Sequence, residues 1–428
     1  MGALILHHRG SLAASPYDRW LADYDGDVVL LASRQHLELV GEELPSGDTG
    51  YRQLEALPDY EAGGRVEARA LELARRYRLD RIIACQEQDL ERAAQLREIL
   101  GLPGQRLSSV LVFRDKVMMK DAARAAGIPV AAYRDVECAV DIIAFAAEHG
   151  FPIVVKPRDS AASIDVAILH TPEALDGYLD RAELSGRYRP NLMVESFVPG
   201  PMCHIDGLVI GGRVIFAWPS QYLFVEADFA EDHRGRLDVT LDPDDPLTAR
   251  LLDFADRLLD ALPGPDNFAF HAEVFHTPDD RLVLCEIACR TGGTAIRQIL
   301  RTLFGVDANE AWVRAELGLP VPIVLDRTPL RPSTMAGQLS VTRRPGTVLA
   351  VPGRPPFPWI EQAAVFVRAG QTINRAAFSS DLMASFVVAG SDRELVERRL
   401  RRVETWFLSG LVIDGSSGAD RTVGRAAS

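Results

Sequence analysis

Two glutamates, Glu273 and Glu286, lie on either side of a turn signal, Thr277-Pro278-Asp279-Asp280, and Arg290 follows four residues after the second, with Gly292-Gly293 beyond it. Proline presets φ at a turn and aspartate bonds its own backbone, so the alternating segments on both sides read as a β-hairpin. A hairpin turning there sets the two carboxylates on neighbouring strands, within reach of each other. Side by side they repel unless a cation sits between them, and Mg²⁺ takes one or two carboxylates with phosphate oxygens completing its octahedron. An arginine close by adds a planar fork for an oxyanion. The competing account is a surface hairpin with solvated acids and a loop glycine pair, so the rest of the chain has to decide.

The cations point the same way. Of 47 Lys plus Arg, only three are lysine (Lys116, Lys120 and Lys156), which leaves 44 arginines, and all three fall within 41 positions. A chain that writes nearly every surface cation as arginine keeps an ammonium where a compact point charge is needed, as on phosphate. Chance or codon bias would scatter the leftovers, and the clustering weakens that account.

These residues need elements to hold them. The pattern predicts a helix from about Arg114-Asp115 to Gly127, capped by Asp115, with Lys116 and Lys120 one turn apart on one face. Lys156 ends a strand, 151–157, ahead of a small-residue loop, 158–163, of the kind that lets backbone N–H groups approach phosphates, although alanine stands where glycine is usual. A helix is expected over 136–150. Strands are expected over 191–198, closed by Pro199-Gly200-Pro201, over 202–210 and over 213–218. Residues 219–246 read as a polar, acidic and mobile stretch. Helices follow at 246–262, 295–304 and 307–317, then short strands and one charged helix over 321–414. The first 105 residues alternate short buried strands with helices, as a parallel sheet requires, and no GxGxxG follows the first strand.

The domain expectation is therefore an N-terminal α/β domain at 1–105 and a central domain at 106–320, with a lid of about 135–200 and a catalytic part of about 201–320. A mainly antiparallel C-terminal lobe at 321–414 and a disordered tail at 415–428 complete it. The fold class is mixed α/β and α+β. At 428 residues, 47% hydrophobic and 25% charged, the composition is that of a soluble globular chain. A net charge of −13 argues against nucleic acid or an anionic membrane as partner. No apolar run reaches the length of a membrane span, and the opening MGALILHHRG is too short for a signal peptide. Five cysteines without a CxxC pair are simplest as reduced thiols in the cytoplasm.

Taken in order, Arg-Asp-Lys116, Val-Val-Lys156-Pro, Val-Glu195-Ser-Phe-Val-Pro-Gly200, Glu273 and Glu286-x-x-x-Arg290 with Gly292-Gly293 resemble the ATP-grasp superfamily. Within it they are similar to the L-amino acid ligases and other carboxylate–amine ligases of peptide and antibiotic assembly. The likeness covers roughly residues 80–320. It implies ATP and Mg²⁺ (with Mn²⁺ as the alternative) as cofactors, Lys116 and Lys156 on the ATP phosphates, and Glu195 with the Ser196–Val198 backbone as the adenine-reading hinge. It further implies Glu273 and Glu286 as metal ligands, and Arg290 as the cation steadying the transition state. Three positions depart from the pattern. The ribose-binding glutamate is replaced by Met202, and His204 or Asp206, which share its strand face, are the candidates for that contact. A third metal ligand is replaced by Ala288, and the phosphate loop is Ser-Ala-Ala-Ser.

The resemblance implies a ligase that phosphorylates a carboxylate with ATP and then captures the acyl phosphate with an amine, both small molecules. It leaves room for a homodimer. The alternatives are a carboxylase or purine-pathway ligase on the same fold, disfavoured by the lack of a biotinyl carrier segment, and a nucleotide-binding module that has lost catalysis.

Overall fold

The computed structural model describes residues 2–47, 49–181, 191–224, 235–324, 329–377 and 379–414. The tail expected at 415–428 lies outside the described residues, and so does 225–234 of the stretch expected to be mobile. Strands β1 (Gly2–His7), β2 (Asp27–Ser33), β3 (Gln53–Leu57) and β4 (Arg81–Ala84) form a parallel sheet in the order β3-β2-β1-β4. Every residue of β1 is buried, as a parallel strand covered on both faces demands. Helices α1 (Tyr17–Trp20), α2 (Arg34–Val40), α3 (Arg65–Tyr77) and α4 (Glu87–Leu100) accompany these strands. Strand β3 and helix α2 escape the sequence pattern because β3 (QLEAL) is half-buried at every position and shows no alternation.

Helix α5 (Leu107–Arg114) breaks at Asp115, and α6 (Lys116–Ala125) begins there. The Asp115 carboxylate accepts from the Val117 and Met118 N–H groups at 2.9 and 3.1 Å, a cap worth about 1 kcal/mol. That cap fixes the direction in which Lys116 leaves the helix.

A second sheet holds β5 (Tyr133–Val136), β6 (Ile153–Pro157), β7 (Ala167–Leu169) and β8 (Leu192–Ser196) in the antiparallel order β5-β8-β6-β7. Helices α7 (Ala139–His149) and α8 (Pro172–Arg181) cover it around a core of its own that includes Phe145, Val155 and Val194. Val136 thus closes a strand, and the helix expected to start there starts three residues later.

The largest sheet has eight strands. Five precede residue 320: β9 (Met202–Ile210), β10 (Arg213–Tyr222), β11 (Arg236–Thr240), β12 (Phe268–His276) and β13 (Leu282–Ala288). After them come β14 (Met335–Thr342), β15 (Gly346–Ala350), β16 (Ile360–Val365), β17 (Thr372–Ile373), β18 (Leu382–Gly390) and β19 (Val412–Asp414). The eight-stranded order is β13-β12-β9-β10-β11-β14-β18-β16, and a small sheet, β17-β15-β19, stands apart. Residues Gly337–Ser340 of β14 pair with Arg236–Val239 of β11, so the C-terminal segment continues the same sheet. Helices α9 (Pro246–Ala261), α10 (Ile296–Phe304), α11 (Ala308–Glu316) and α12 (Arg393–Gly410) pack against it. Among the described residues no helix is long and apolar enough to cross a membrane.

Candidate active site

The hairpin forms as the turn chemistry requires. The Thr277 N–H donates to the Arg281 carbonyl and the Arg281 N–H to the Thr277 hydroxyl, and Glu273 on β12 stands directly opposite Glu286 on β13. Alternation then puts Glu273 and His271 on one face of β12, with Ala272 and Val274 buried on the other. The same face of the sheet carries His204 and Asp206 on β9, Asp238 on β11 and Gln338 on β14, all buried.

All three lysines reach this region. The Lys116 ammonium lies 3.0 Å from the Glu286 carboxylate and donates to the Ser160 carbonyl in the small-residue loop. Lys120, which the sequence offered only as a neighbour of Lys116 on its helix, is fully buried. It stands 3.0 Å from Glu195 and donates to the Leu284 and Cys285 carbonyls of β13. Lys156 stands 2.5 Å from the other oxygen of Glu195. Burial alone would raise the Glu195 pKa, but Lys120 and Lys156 outweigh it and hold the carboxyl at about 2. Burial likewise opposes the Lys156 charge, and Glu195 overcomes it, so that pKa is raised. The scarcity of lysine was the signal that could have placed Lys120 in the site.

The hinge behind Glu195 is short. The Ser196 N–H donates to the Ala132 carbonyl, and Val198 is half-buried just beyond the strand. At Gly200 the chain turns with φ +117°, and an added Cβ would lie 2.2 Å from the His276 carbonyl, so only glycine fits.

Arg290 leaves β13 and turns to the N-terminal domain. Its Nε donates to Glu87 at 2.5 Å and its Nη1 to the Thr291 carbonyl at 3.0 Å. Glu87 opens α4, and sequence reasoning passed over it, because nothing in a helix-first-turn glutamate distinguishes it from a solvated one. Here Arg290 and Arg114 overcome burial and depress its carboxyl to about 2.

His204 and Asp206 do not stand free at the mouth of the site. His204 Nδ1 is 2.5 Å from Asp206 and its Nε2 is 2.9 Å from Asp238. The second oxygen of Asp206 receives His271 Nδ1 at 2.8 Å, and His271 Nε2 lies 3.4 Å from Glu273. Both nitrogens of His204 and both oxygens of Asp206 are therefore engaged inside the protein, which turns both groups away from a ribose contact. Burial disfavours an imidazolium, yet Asp206 outweighs it and lifts His271 to about 9. Tyr222 completes the setting of Glu273 by donating to it at 3.2 Å.

A cleft of about 900 Å³ is lined by Asp238, His271, Glu273, Glu286 and Arg290, by Ala161 and Ala162 of the small-residue loop, and by Arg9 to Ser11 and Ala13 to Pro16 of the N-terminal segment. Lys116 lines a smaller pocket beside it with Glu286 and Arg290, while Lys120, Lys156, Glu195, His204 and Asp206 are not among the residues lining the cleft. The small-residue loop is held at two ends. Lys116 N–H donates to the Arg158 carbonyl, and Ser379 N–H donates to the Ala162 carbonyl while Arg236 donates to Ser379. Ala162 and Ser163 both have positive φ, 59° and 57°, an unfavourable backbone for side chains with a Cβ.

The fold is the mixed α/β architecture of ATP-grasp enzymes, a parallel sheet beside a large antiparallel one. No family model matches the chain. It is 27% identical over 238 residues to the L-arginine-specific L-amino acid ligase of Bacillus subtilis, a stretch covering 54% of this chain and 56% of that protein. The chain thus matches little more than half the length of that relative. Among solved structures, the L-amino acid ligase of Bacillus licheniformis superposes with a TM-score of 0.76 at 16% identity, covering 96% of this chain and 98% of that one. The biotin carboxylase domain of the Hydrogenobacter thermophilus 2-oxoglutarate carboxylase, solved with MgADP, ADP and bicarbonate, gives 0.67 at 16% identity, covering 96% and 90%.

Proposed function

We propose that this protein is an ATP-dependent ligase that joins a carboxylate, of the amino acid class, to an amine through an acyl phosphate, releasing ADP and phosphate. The observation that carries the reading is the convergence of Glu273, Glu286 and Arg290 on one cleft, with the Lys116 ammonium 3.0 Å from Glu286. Similarity to an L-amino acid ligase in sequence, and to another in fold, supports the substrate class.

The donor set suits Mg²⁺, since two hard carboxylates face each other across adjacent strands in an open cleft. Glu273 and Glu286 would hold the ion, which when bound neutralises charge spreading over the transferring phosphoryl oxygens. Lys116 and Lys156 would hold ATP phosphates, with Glu195 and the Ser196–Val198 segment at the base. His204 and Asp206 act behind the site. The substrate carboxylate oxygen attacks the γ-phosphorus and ADP leaves. The amine nitrogen then attacks the acyl carbon, Arg290 stabilises the oxyanion, and phosphate departs as the amine loses its proton. The small-residue loop excludes water that would hydrolyse the acyl phosphate. The free thiols accord with a cytoplasmic setting.

The test is a phosphate-release assay over a panel of amino acid pairs, with bicarbonate and formate as control arms and nucleotides identified by chromatography. ADP with a new amide is the expected result. AMP stoichiometric with product would move the protein to an adenylating class, and phosphate release with bicarbonate alone would favour a carboxylase.

A further inference from the structure

The buried face of the large sheet carries one line of polar contacts, hydrogen-bonded from Gln338 to His271 and ending in an ion-pair contact of 3.4 Å between His271 and Glu273. At one end the Thr294 hydroxyl and the Ala295 N–H donate to Gln338 Oε1, at 2.9 and 3.0 Å. That fixes the amide, whose Nε2 donates to Asp238 at 2.9 Å. The line continues from Asp238 through His204, Asp206 and His271 to Glu273. Four strands and the loop after Arg290 contribute to it, and each of the five side chains from Gln338 to His271 is buried. His204, Asp206 and His271 lie close enough to gather round a cation, but their nitrogens already face carboxylate oxygens, so the arrangement is a ladder of N–H donors.

Apolar side chains of the same volume would stabilise a sheet face at least as well as buried ionic groups. What the ladder adds is direction. Asp206 on Nδ1 turns His271 Nε2 toward Glu273 Oε1, the oxygen that Tyr222 also holds, so both contacts fall on one oxygen of a carboxylate that lines the cleft. The loop interlocks with the ladder at a second point as well. A Cβ on Gly292 would lie 2.9 Å from both Asp206 Oδ1 and His271 Nδ1.

We infer that the ladder Gln338–Asp238–His204–Asp206–His271 is a positioning device that sets Glu273 and the Thr291–Ala295 loop together, so that β14 of the C-terminal segment tunes a metal ligand it never touches. This rests on the reading of Glu273 as a metal ligand. Outer partners of this kind typically change metal affinity by about 10–100-fold when removed.

The experiment is calorimetric ATP binding across a Mg²⁺ titration, beside thermal melting, for the full chain and two variants. Gln338→Met cuts the ladder at its far end, and Gly292→Ala wedges into it at His271. Both should raise the Mg²⁺ midpoint by roughly 10-fold or more while metal-free ATP binding stays at the wild-type value. Variants that melt earlier but keep the wild-type Mg²⁺ midpoint would reduce the ladder to structural packing and overturn the inference. Should Gln338→Met fail to fold, Gly292→Ala decides alone. A wild-type chain whose ATP binding ignores Mg²⁺ would instead overturn the functional reading, and the ladder's role with it.

Discussion

The Arg290 guanidinium, just past β13, is held by Glu87 at the start of α4, Nε to carboxylate at 2.5 Å. The group assigned to the oxyanion is thus aimed from outside its own sheet. Glu87 is shared with Arg114, whose Nη1 lies 2.7 Å from its other oxygen. Two cations around one half-buried acid hold Arg290 through its Nε, while its Nη1 donates to the Thr291 carbonyl.

Replacing that acid should cost catalysis before it costs nucleotide. Glu87→Gln keeps the shape and loses the charge-assisted bond, a change of about 1.5 kcal/mol, or roughly 10-fold in rate. Amide formation followed by mass spectrometry should fall by that factor while ATP affinity by calorimetry holds. An equal loss in both would show that Glu87 supports the whole cleft.

Arg290→Ala should cut amide formation by roughly 10²–10³, the usual effect of losing one oxyanion donor, with ATP affinity nearly unchanged. It should also melt earlier than wild type, because the half-buried Glu87 loses one of its two guanidinium partners and keeps Arg114. Slow ATP hydrolysis without amide would show that the first half-reaction survives. Loss of ATP affinity would make Arg290 a nucleotide ligand.

The two lysines on Glu195 should separate from each other. Lys156→Ala should abolish ATP binding with the fold intact, and Lys156→Arg should restore little, since a planar fork replaces a point charge. Lys120→Met should instead lower the melting temperature, because Lys120 ties Glu195 to the β13 carbonyls at 3.1 and 3.3 Å. Lys156→Ala enzyme with wild-type ATP affinity would remove the phosphate assignment.

Acid sensitivity should include a contribution from His7. Burial pushes its pKa down to about 4, although the Gly10 carbonyl on its ring opposes this. Between pH 6.5 and 4 the unfolded chain takes up a proton that the folded chain refuses, so stability falls as pH falls through that window and levels off below it. The total is at most about 3 kcal/mol. His7→Gln removes the titrating group, and its melting temperature should fall less than wild type's between pH 7 and 4.5. Parallel curves would assign the acid loss elsewhere.

The hairpin with Glu273 opposite Glu286, the Asp115 cap and the cluster of lysines were legible because each obeys a local rule of turn, cap or charge. Strand β11 was not. Its sequence, RLDVT, stands in a polar, acidic stretch, and yet Arg236 and Asp238 are buried. Hydropathy reads such residues as solvent-exposed; partners from elsewhere in the chain, Ser379 on Arg236 and Gln338 and His204 on Asp238, make burial tolerable. His204 and Asp206 were placed on the correct face and given the wrong neighbours for the same reason, since alternation reports a face and says nothing of what lies across the sheet. Glu87 carries no local signal, because its role comes from an arginine 203 positions later.

The pairing of β11 with β14 has a consequence for any attempt to dissect the protein. A fragment ending near residue 320 would keep every lysine and the paired glutamates of the hairpin, and would still be an unfinished sheet. Its β11 would present a bare row of backbone donors and acceptors, flanked by an aspartate stripped of its amide partner. Exposed edges of that sort recruit other chains. Expressed alone, the fragment should go to inclusion bodies, and supplying 321–414 as a separate polypeptide should return it to solution by strand complementation.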